Sequence, residues 1–245
     1  MTIEYSVIIP AYNEEQFLPL TLECLKVAMA GVSPRGEIIV VDNNSNDNTS
    51  RIAHEHGATV VFEPVNQISR ARNSGARQAR GKFLIFLDAD TSISRDLLAT
   101  ALDHLSSGLC CGGGVLVQPA EQPPAAARYV MEFWNRLSMR LGLAAGCFVY
   151  CLREAFQQTG GFSERVYASE EIWLSRKLRS WGMANNMRFV IIDTCPITTS
   201  LRKLQWYSAP KLLILSVPIL LFPPAIFFKG LCSTWYKRPG RDNKI

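Results

Sequence analysis

Residues 83–90 read Phe83-Leu84-Ile85-Phe86-Leu87-Asp88-Ala89-Asp90. A short unbroken apolar run predicts a strand buried on both faces, as in a parallel sheet covered by helices. Two carboxylates follow it at once. Burying an unpaired carboxylate is costly, so Asp88 and Asp90 are expected to face a cleft and meet a cation. Oxygen ligands without His or Cys suit Mg2+ or Mn2+, ions that complete their shells with substrate phosphates. The competing reading is a strand-end turn in which Asp90 caps the next helix.

Upstream, Tyr5–Pro10 and Glu37–Val41 give two more buried strands and Ala58–Glu63 a further strand. Each is followed by a helical stretch. The first opens at Asn13-Glu14-Glu15, with Phe17, Leu18, Leu22 and Leu25 at helical spacing; the second runs to about Gly57; the third covers Ser69–Arg80. Strands alternating with helices predict an α/β fold with a mostly parallel sheet. Such a sheet takes its ligand beyond the C-terminal strand ends, where Asp42 and Asp88 stand. Downstream, Gly112–Gln118, Gly146–Cys151 and Arg188–Asp193 read as strands and Ser169–Trp181 as a helix. After Pro123-Pro124, the residues Val130, Phe133, Trp134, Leu137 and Leu141 recur at helical spacing.

Three further features carry chemistry. The polar loop Pro10-Ala11-Tyr12-Asn13-Glu14 can offer backbone N–H groups to a phosphate, or is a plain helix start. Asp42 can accept bonds from a nucleobase N–H or a ribose hydroxyl, whereas Asp47 is expected to cap the following helix. No acid lies between Pro64 and Leu87, so Arg70, Arg72, Arg77, Arg80 and Lys82 make this stretch locally positive. One or two of these arginines are expected to face a diphosphate.

Composition bounds the class. A chain of 245 residues, 48% hydrophobic and 19% charged, is neither disordered nor fibrous, and fits one α/β domain with an appendage. Seven cysteines without a C-x-x-C argue against a zinc ribbon and predict reduced thiols in a cytosolic compartment. The net charge of +5 is uneven: residues 200–245 carry eight Lys and Arg and one acid, and the rest is slightly acidic. A basic tail on an acidic body points to anionic lipid rather than nucleic acid. No signal peptide is read at the start of the sequence.

Four motifs together resemble glycosyltransferase family 2. These are Pro10–Glu14 (P-x-Y-N-E), Val41–Asp47 (V-D-x-x-S-x-D), Ala71–Gly75 (A-R-N-x-G) and Leu87–Asp90 (L-D-A-D), in family order and spacing. The resemblance implies a GT-A fold, a Rossmann-like α/β/α sandwich, over residues 1–199. Residues 1–100 would bind a nucleotide-sugar and 101–199 an acceptor. It implies inverting, divalent-metal-assisted transfer of one sugar from a UDP- or GDP-linked donor to a hydroxyl acceptor. Pro10, Ala11, Tyr12, Glu14, Asp42, Arg72, Asp88 and Ala89 match donor-binding positions. Asp90 matches the direct metal ligand, with Asp88 beside it.

The second half matches more loosely. Gly160-Gly161-Phe162 resembles the family's G-G-F, and Ser169–Leu174 its G-E-D-x-x-L. That places Glu171 on the family's catalytic aspartate, a departure because Glu replaces Asp, and leaves Glu170 as second candidate base. An extra methylene displaces the carboxylate by about 1.5 Å, and misplacement on that scale can cost ~100-fold in rate. Arg202–Trp206 departs from the pattern of processive members, so non-processive transfer is expected. A non-catalytic scaffold of the same fold remains the alternative, with a nucleotidyltransferase behind it.

Leu212–Phe228 is uncharged between Lys211 and Lys229 and carries Pro218, Pro223 and Pro224. As a straight helix it would reach about 25 Å, short of the ~30 Å hydrocarbon core. A short span, a re-entrant hairpin, an interfacial segment and a helix packed on the body all fit. With its flanking basic residues, 200–245 is expected to form a hydrophobic helical tail that brings the chain to the cytoplasmic face of a membrane and a lipid-linked acceptor.

Overall fold

The computed structural model describes residues 2–119, 125–199, 226–232 and 236. The seven expected strands and a further two-residue one, β5, pair into one eight-stranded sheet. They are β1 (Tyr5–Ala11), β2 (Gly36–Asp42), β3 (Thr59–Phe62), β4 (Phe83–Leu87), β5 (Thr91–Ser92), β6 (Cys110–Pro119), β7 (Phe148–Leu152) and β8 (Arg188–Thr199). Their order is β3-β2-β1-β4-β7-β6-β8-β5. Strands β1 to β4 pair in parallel, as do β6 and β8, whereas β7 runs antiparallel to both β4 and β6. The C-terminal ends of β1, β2, β4, β6 and β8 therefore share one edge of the sheet, and β7 begins there.

Side-chain alternation along the strands makes two apolar layers. Val7, Ile9, Val40, Ile85 and Leu87 pack against α1 (Leu18–Ala30), α2 (Thr49–Glu55) and α4 (Arg95–Ser106). Ile8, Ile39, Val41, Leu84 and Phe86 pack on the other face, against α3 (Ile68–Gln78), α6 (Arg153–Gln158) and α7 (Glu170–Ala184). The result is the expected α/β/α sandwich. Gly113 shows why β6 needs glycine: a Cβ there would overlap the Val190 carbonyl of the neighbouring strand.

Three expectations change. Helix α1 starts at Leu18, not at Asn13, because Asn13 takes a left-handed backbone (φ 54°) and residues 13–15 are tied instead to the loop after β2. Helix α5 (Ala125–Leu141) forms, but its recurring apolar side faces outward: Val130 and Phe133 are 69% and 66% exposed. Its inner side is held by Asn135, which donates to the Val117 carbonyl (2.9 Å) and accepts from the Val117 N–H (3.2 Å).

The third change concerns the tail. Residues 200–225, including Trp206 and most of the apolar segment, lie outside the described residues. The end of that segment packs on the body, with Ile226, Cys232 and Tyr236 buried against Val166 and Ala168. Lys229–Cys232 is a 3-10 turn. Among the described residues no helix is long and apolar enough to cross a membrane.

Candidate active site

Two loops close over each other beyond β1 and β2. The Asn13 N–H donates to Ser45 Oγ (3.0 Å), and Asn13 Oδ1 accepts from the Asn46 N–H (2.9 Å). The Glu14 N–H donates to Thr49 Oγ1 (2.8 Å). Asp42, nearly buried at the end of β2, accepts the Ser45 N–H on Oδ1 (2.9 Å). Asp47 accepts the Thr49 N–H at the start of α2 but is not its cap as expected: the N-cap position is Asn48, and Asp47 also accepts the Glu15 N–H. Register pairs Ala11 with Asp42, which places the Pro10–Glu14 loop and Asp42 side by side. Glu14 is buried; Pro10 and Tyr12 are half-buried.

The centre of the site is Arg72, on α3. Its side chain is 1% exposed and lies between three acceptors from distant segments. Nη2 donates to Asp88 Oδ1 (2.9 Å) and to the Gly146 carbonyl (2.7 Å); Nη1 donates to Glu170 Oε1 (2.6 Å). The guanidinium carbon sits 5.1 Å from the centre of the Phe162 ring. Asp88 and Glu170 hold the Arg72 charge although burial works against it. Arg72, which the family resemblance matches to a position near the nucleotide, is a buried hub that fixes Asp88 and the start of α7.

Glu170 and Glu171 open α7 after Ser169, whose left-handed backbone (φ 60°) turns the chain into the helix. The two carboxyls part ways. Glu170 is buried and spent on Arg72. Glu171 is half-buried and lies over Gly146, where a Cβ would come within 3.4 Å of its carboxyl carbon. Burial, with the Glu170 charge adding to it, pushes the Glu171 carboxyl up to about 8, against the pull of Arg72. A carboxyl near neutrality suits proton transfer.

Asp88 is held by Arg72 on one oxygen; its other oxygen accepts no bond from a described residue. Ala89 is buried, and its carbonyl accepts from Thr21 Oγ1 (2.9 Å). Asp90 is half-buried two residues on. The Cys147 thiol between them is pushed up by burial and by the Asp88 and Asp90 charges. Among the described residues no three His, Cys, Asp or Glu side chains converge as a complete metal cage. A two-carboxylate donor set fits a hard cation that takes its remaining ligands from a diphosphate.

The locally positive stretch is neutralised by acids from elsewhere in the chain. Arg70 pairs with Glu63 and Glu164, Arg80 with Glu37 and Lys82 with Glu4, and Arg77 donates to Ser74. Arg72 is thus the one member of the group that reaches the site, and it does so through Asp88. Burial pushes the Glu63 carboxyl up, but bonds from Ser74, the Val65 N–H and Arg70 outweigh it and hold it below its usual range. Gly146 and Phe162 complete the hub; Gly146 has no local signal beyond the small-residue run Ala144-Ala145-Gly146.

Comparison with known proteins agrees with the fold. The family model for "Glycosyl transferase family 2" matches residues 6–159. Glycosyltransferase AglE of Haloferax volcanii is 29% identical over 205 residues, 78% of this chain and 66% of that protein. Dolichol-phosphate mannosyltransferase of Saccharomyces cerevisiae is 37% identical over 101 residues, 37% of this chain and 36% of its own. The chain therefore spans two thirds or less of these curated relatives. Among solved structures, the mannosyltransferase PcManGT of Pyrobaculum calidifontis, in complex with GDP-Man and Mn2+, superposes with a TM-score of 0.66 at 20% identity. That match covers 96% of this chain and 70% of the other.

Proposed function

The chain belongs to glycosyl transferase family 2, and from that premise we propose that it moves one sugar from a nucleotide-diphosphate sugar to an acceptor hydroxyl, with inversion. The observation that carries the reading is the Arg72 hub, which joins the end of β4 to the start of α7 and so ties Asp88 to Glu170, next to Glu171 in the chain.

The donor nucleotide lies across the ends of β1 and β2. Asp42 accepts from the base, and the Pro10–Glu14 loop lines the nucleotide. Asp90, with Asp88, would hold Mn2+ or Mg2+. When bound, such an ion offsets the charge on the departing diphosphate. Arg72 is a positioning residue that holds one Asp88 oxygen and so aims the carboxylate. Glu170 is committed to Arg72, which leaves Glu171 as the general base. It takes the acceptor hydroxyl proton as that oxygen attacks the anomeric carbon. Gly146 leaves room beneath the longer Glu side chain, which offsets the extra methylene.

The acceptor is read as lipid-linked, at the cytoplasmic face of a membrane. The basic tail and the lipid-phosphate acceptor in the name of the yeast relative support this. The test is transfer and donor binding measured together on Glu171→Gln and Glu170→Gln. Glu171→Gln is expected to keep donor binding and to lose transfer by roughly 100- to 10,000-fold, the range of a general base. The opposite ranking of the two variants overturns the assignment.

A further inference from the structure

The outward face of α5 has no role in the site described above. Asn135 and Ser138 face the body: Asn135 is pinned to Val117, and Ser138 is buried and donates to the Leu143 carbonyl (2.6 Å). The opposite side presents Tyr129 (69% exposed), Val130, Phe133 and Leu141 (41% exposed), with Leu137 between them. Single exposed apolar residues are ordinary, but a contiguous stripe on one helix marks a contact surface. Arg136 and Arg140 border the stripe; Arg128, seven residues before Asn135, lies away from it, and Glu132 pairs with both Arg128 (3.9 Å) and Arg136 (4.0 Å).

We propose that α5 is an amphipathic helix that docks the catalytic end of the domain on an anionic lipid bilayer. An apolar stripe with aromatic residues and flanking cations suits the boundary between headgroups and acyl chains. At 17 residues with four charges, α5 is suited to lie in that boundary rather than cross it.

Charge selects this occupant over two others. A second copy docked on the same face would bring the same arginines together, because a two-fold contact pairs a surface with itself. Residues 200–225 of this chain carry Arg202, Lys203 and Lys211 and no acid, so they too lack the complementary charge. Anionic headgroups supply it.

Topology gives the docking its use. Helix α5 connects β6 to β7, and β6 ends and β7 begins at the edge of the sheet that holds Asp88. Gly146, whose carbonyl is bound by Arg72, follows five residues after α5. A docked α5 sets Glu171 near headgroup depth. The docking stands on this surface alone; delivery of a lipid-borne acceptor to Glu171 rests on the transferase reading.

The experiment is vesicle co-sedimentation of the full chain. The vesicles are phosphatidylcholine alone, or phosphatidylcholine mixed with phosphatidylglycerol. Donor-induced thermal shift and light scattering are read on the same samples. The variants are Val130→Glu/Phe133→Glu and Arg136→Glu/Arg140→Glu, all at exposed positions that leave the fold intact. The wild type is expected to bind the anionic vesicles and to lose binding in high salt. Arg136→Glu/Arg140→Glu is expected to weaken binding by about thirtyfold or more, from roughly 1 kcal/mol per basic residue at 1.36 kcal/mol per tenfold, and Val130→Glu/Phe133→Glu to weaken it as well by putting charge into the apolar stripe. Donor-induced shifts are expected to stay unchanged, which separates this result from failure of the transferase reading. Equal binding by wild type and both variants, or no vesicle binding by the wild type, overturns the proposal. So does a wild-type dimer that Val130→Glu/Phe133→Glu splits, which assigns the face to a second copy.

Discussion

Replacing Arg72 by Met keeps most of the side-chain volume and removes the charge. Arg72 is 1% exposed and Glu170 6% exposed at the side chain, so the substitution strands a carboxylate that water does not reach. Breaking a buried ion pair from one side costs about 3–5 kcal/mol, because the remaining charge is uncompensated. For a chain of this size that corresponds to a fall in Tm of roughly 6–20 °C, at about 2–4 °C per kcal/mol. Asp88, 29% exposed, loses its partner too but keeps partial access to water, so it adds less.

The pair Arg72→Met/Glu170→Leu removes both charges, and replacing a buried pair by apolar residues is often neutral. The double variant is therefore expected to be more stable than Arg72→Met alone. The assay is urea unfolding of wild type, both single variants and the double variant, at pH 5 and pH 8. A loss below about 1 kcal/mol, or a double variant no better than Arg72→Met, refutes the view of Arg72 as the hub.

Other outcomes follow from the same contacts. Glu171 sits near 8 in the fold against an ordinary 4.5, so the folded chain holds a proton that the unfolded chain gives up. On this group's account stability is full below the unfolded value and falls as pH rises towards about 8; Glu171→Gln flattens that slope in melts taken across pH. As a base, Glu171 must be ionised, so kcat/KM for transfer is expected to climb with pH up to a limit at or below about 8, a positive ion at Asp88 and Asp90 drawing it lower. Gly113→Ala forces a methyl into the Val190 carbonyl and is expected to destabilise by about 1–3 kcal/mol or more, read by urea unfolding.

Legibility followed the range of the interactions. Strands β1 to β4 are dense apolar runs with a polar end, and their reading needs only neighbours in sequence. Helix α4 carried an equally local signal that the sequence reading left unassigned. Ser94 caps the Leu97 N–H, and Leu97, Leu98, Ala101, Leu102 and Leu105 all face the core. The strand Thr91–Ser92 is two residues long and exists only because β8 reaches it.

The site was harder to read where partners are far apart. Arg72 meets Glu170 across 98 positions and Asp88 across 16, so no local pattern shows that its charge is buried. Glu170 and Glu171 look alike as helix-start acids, and only the hub tells them apart. The periodicity of α5 correctly gave a helix with an apolar side. It could not say that Asn135, bonded to Val117, would take the inner face. Hydrophobic spacing reports that a side will be covered and leaves open by what.

The most direct test of the account is a thermal-shift panel of UDP-, GDP- and dTDP-sugars with and without Mn2+, on wild type and Asp90→Ala. At 100-fold excess over its dissociation constant, a bound donor adds ~2.7 kcal/mol of stability. The prediction is one donor that raises the melting temperature only with Mn2+, and an Asp90→Ala chain that loses that shift. No shift with any donor, or an equal shift in Asp90→Ala, contradicts a metal-assisted donor site at the end of β4.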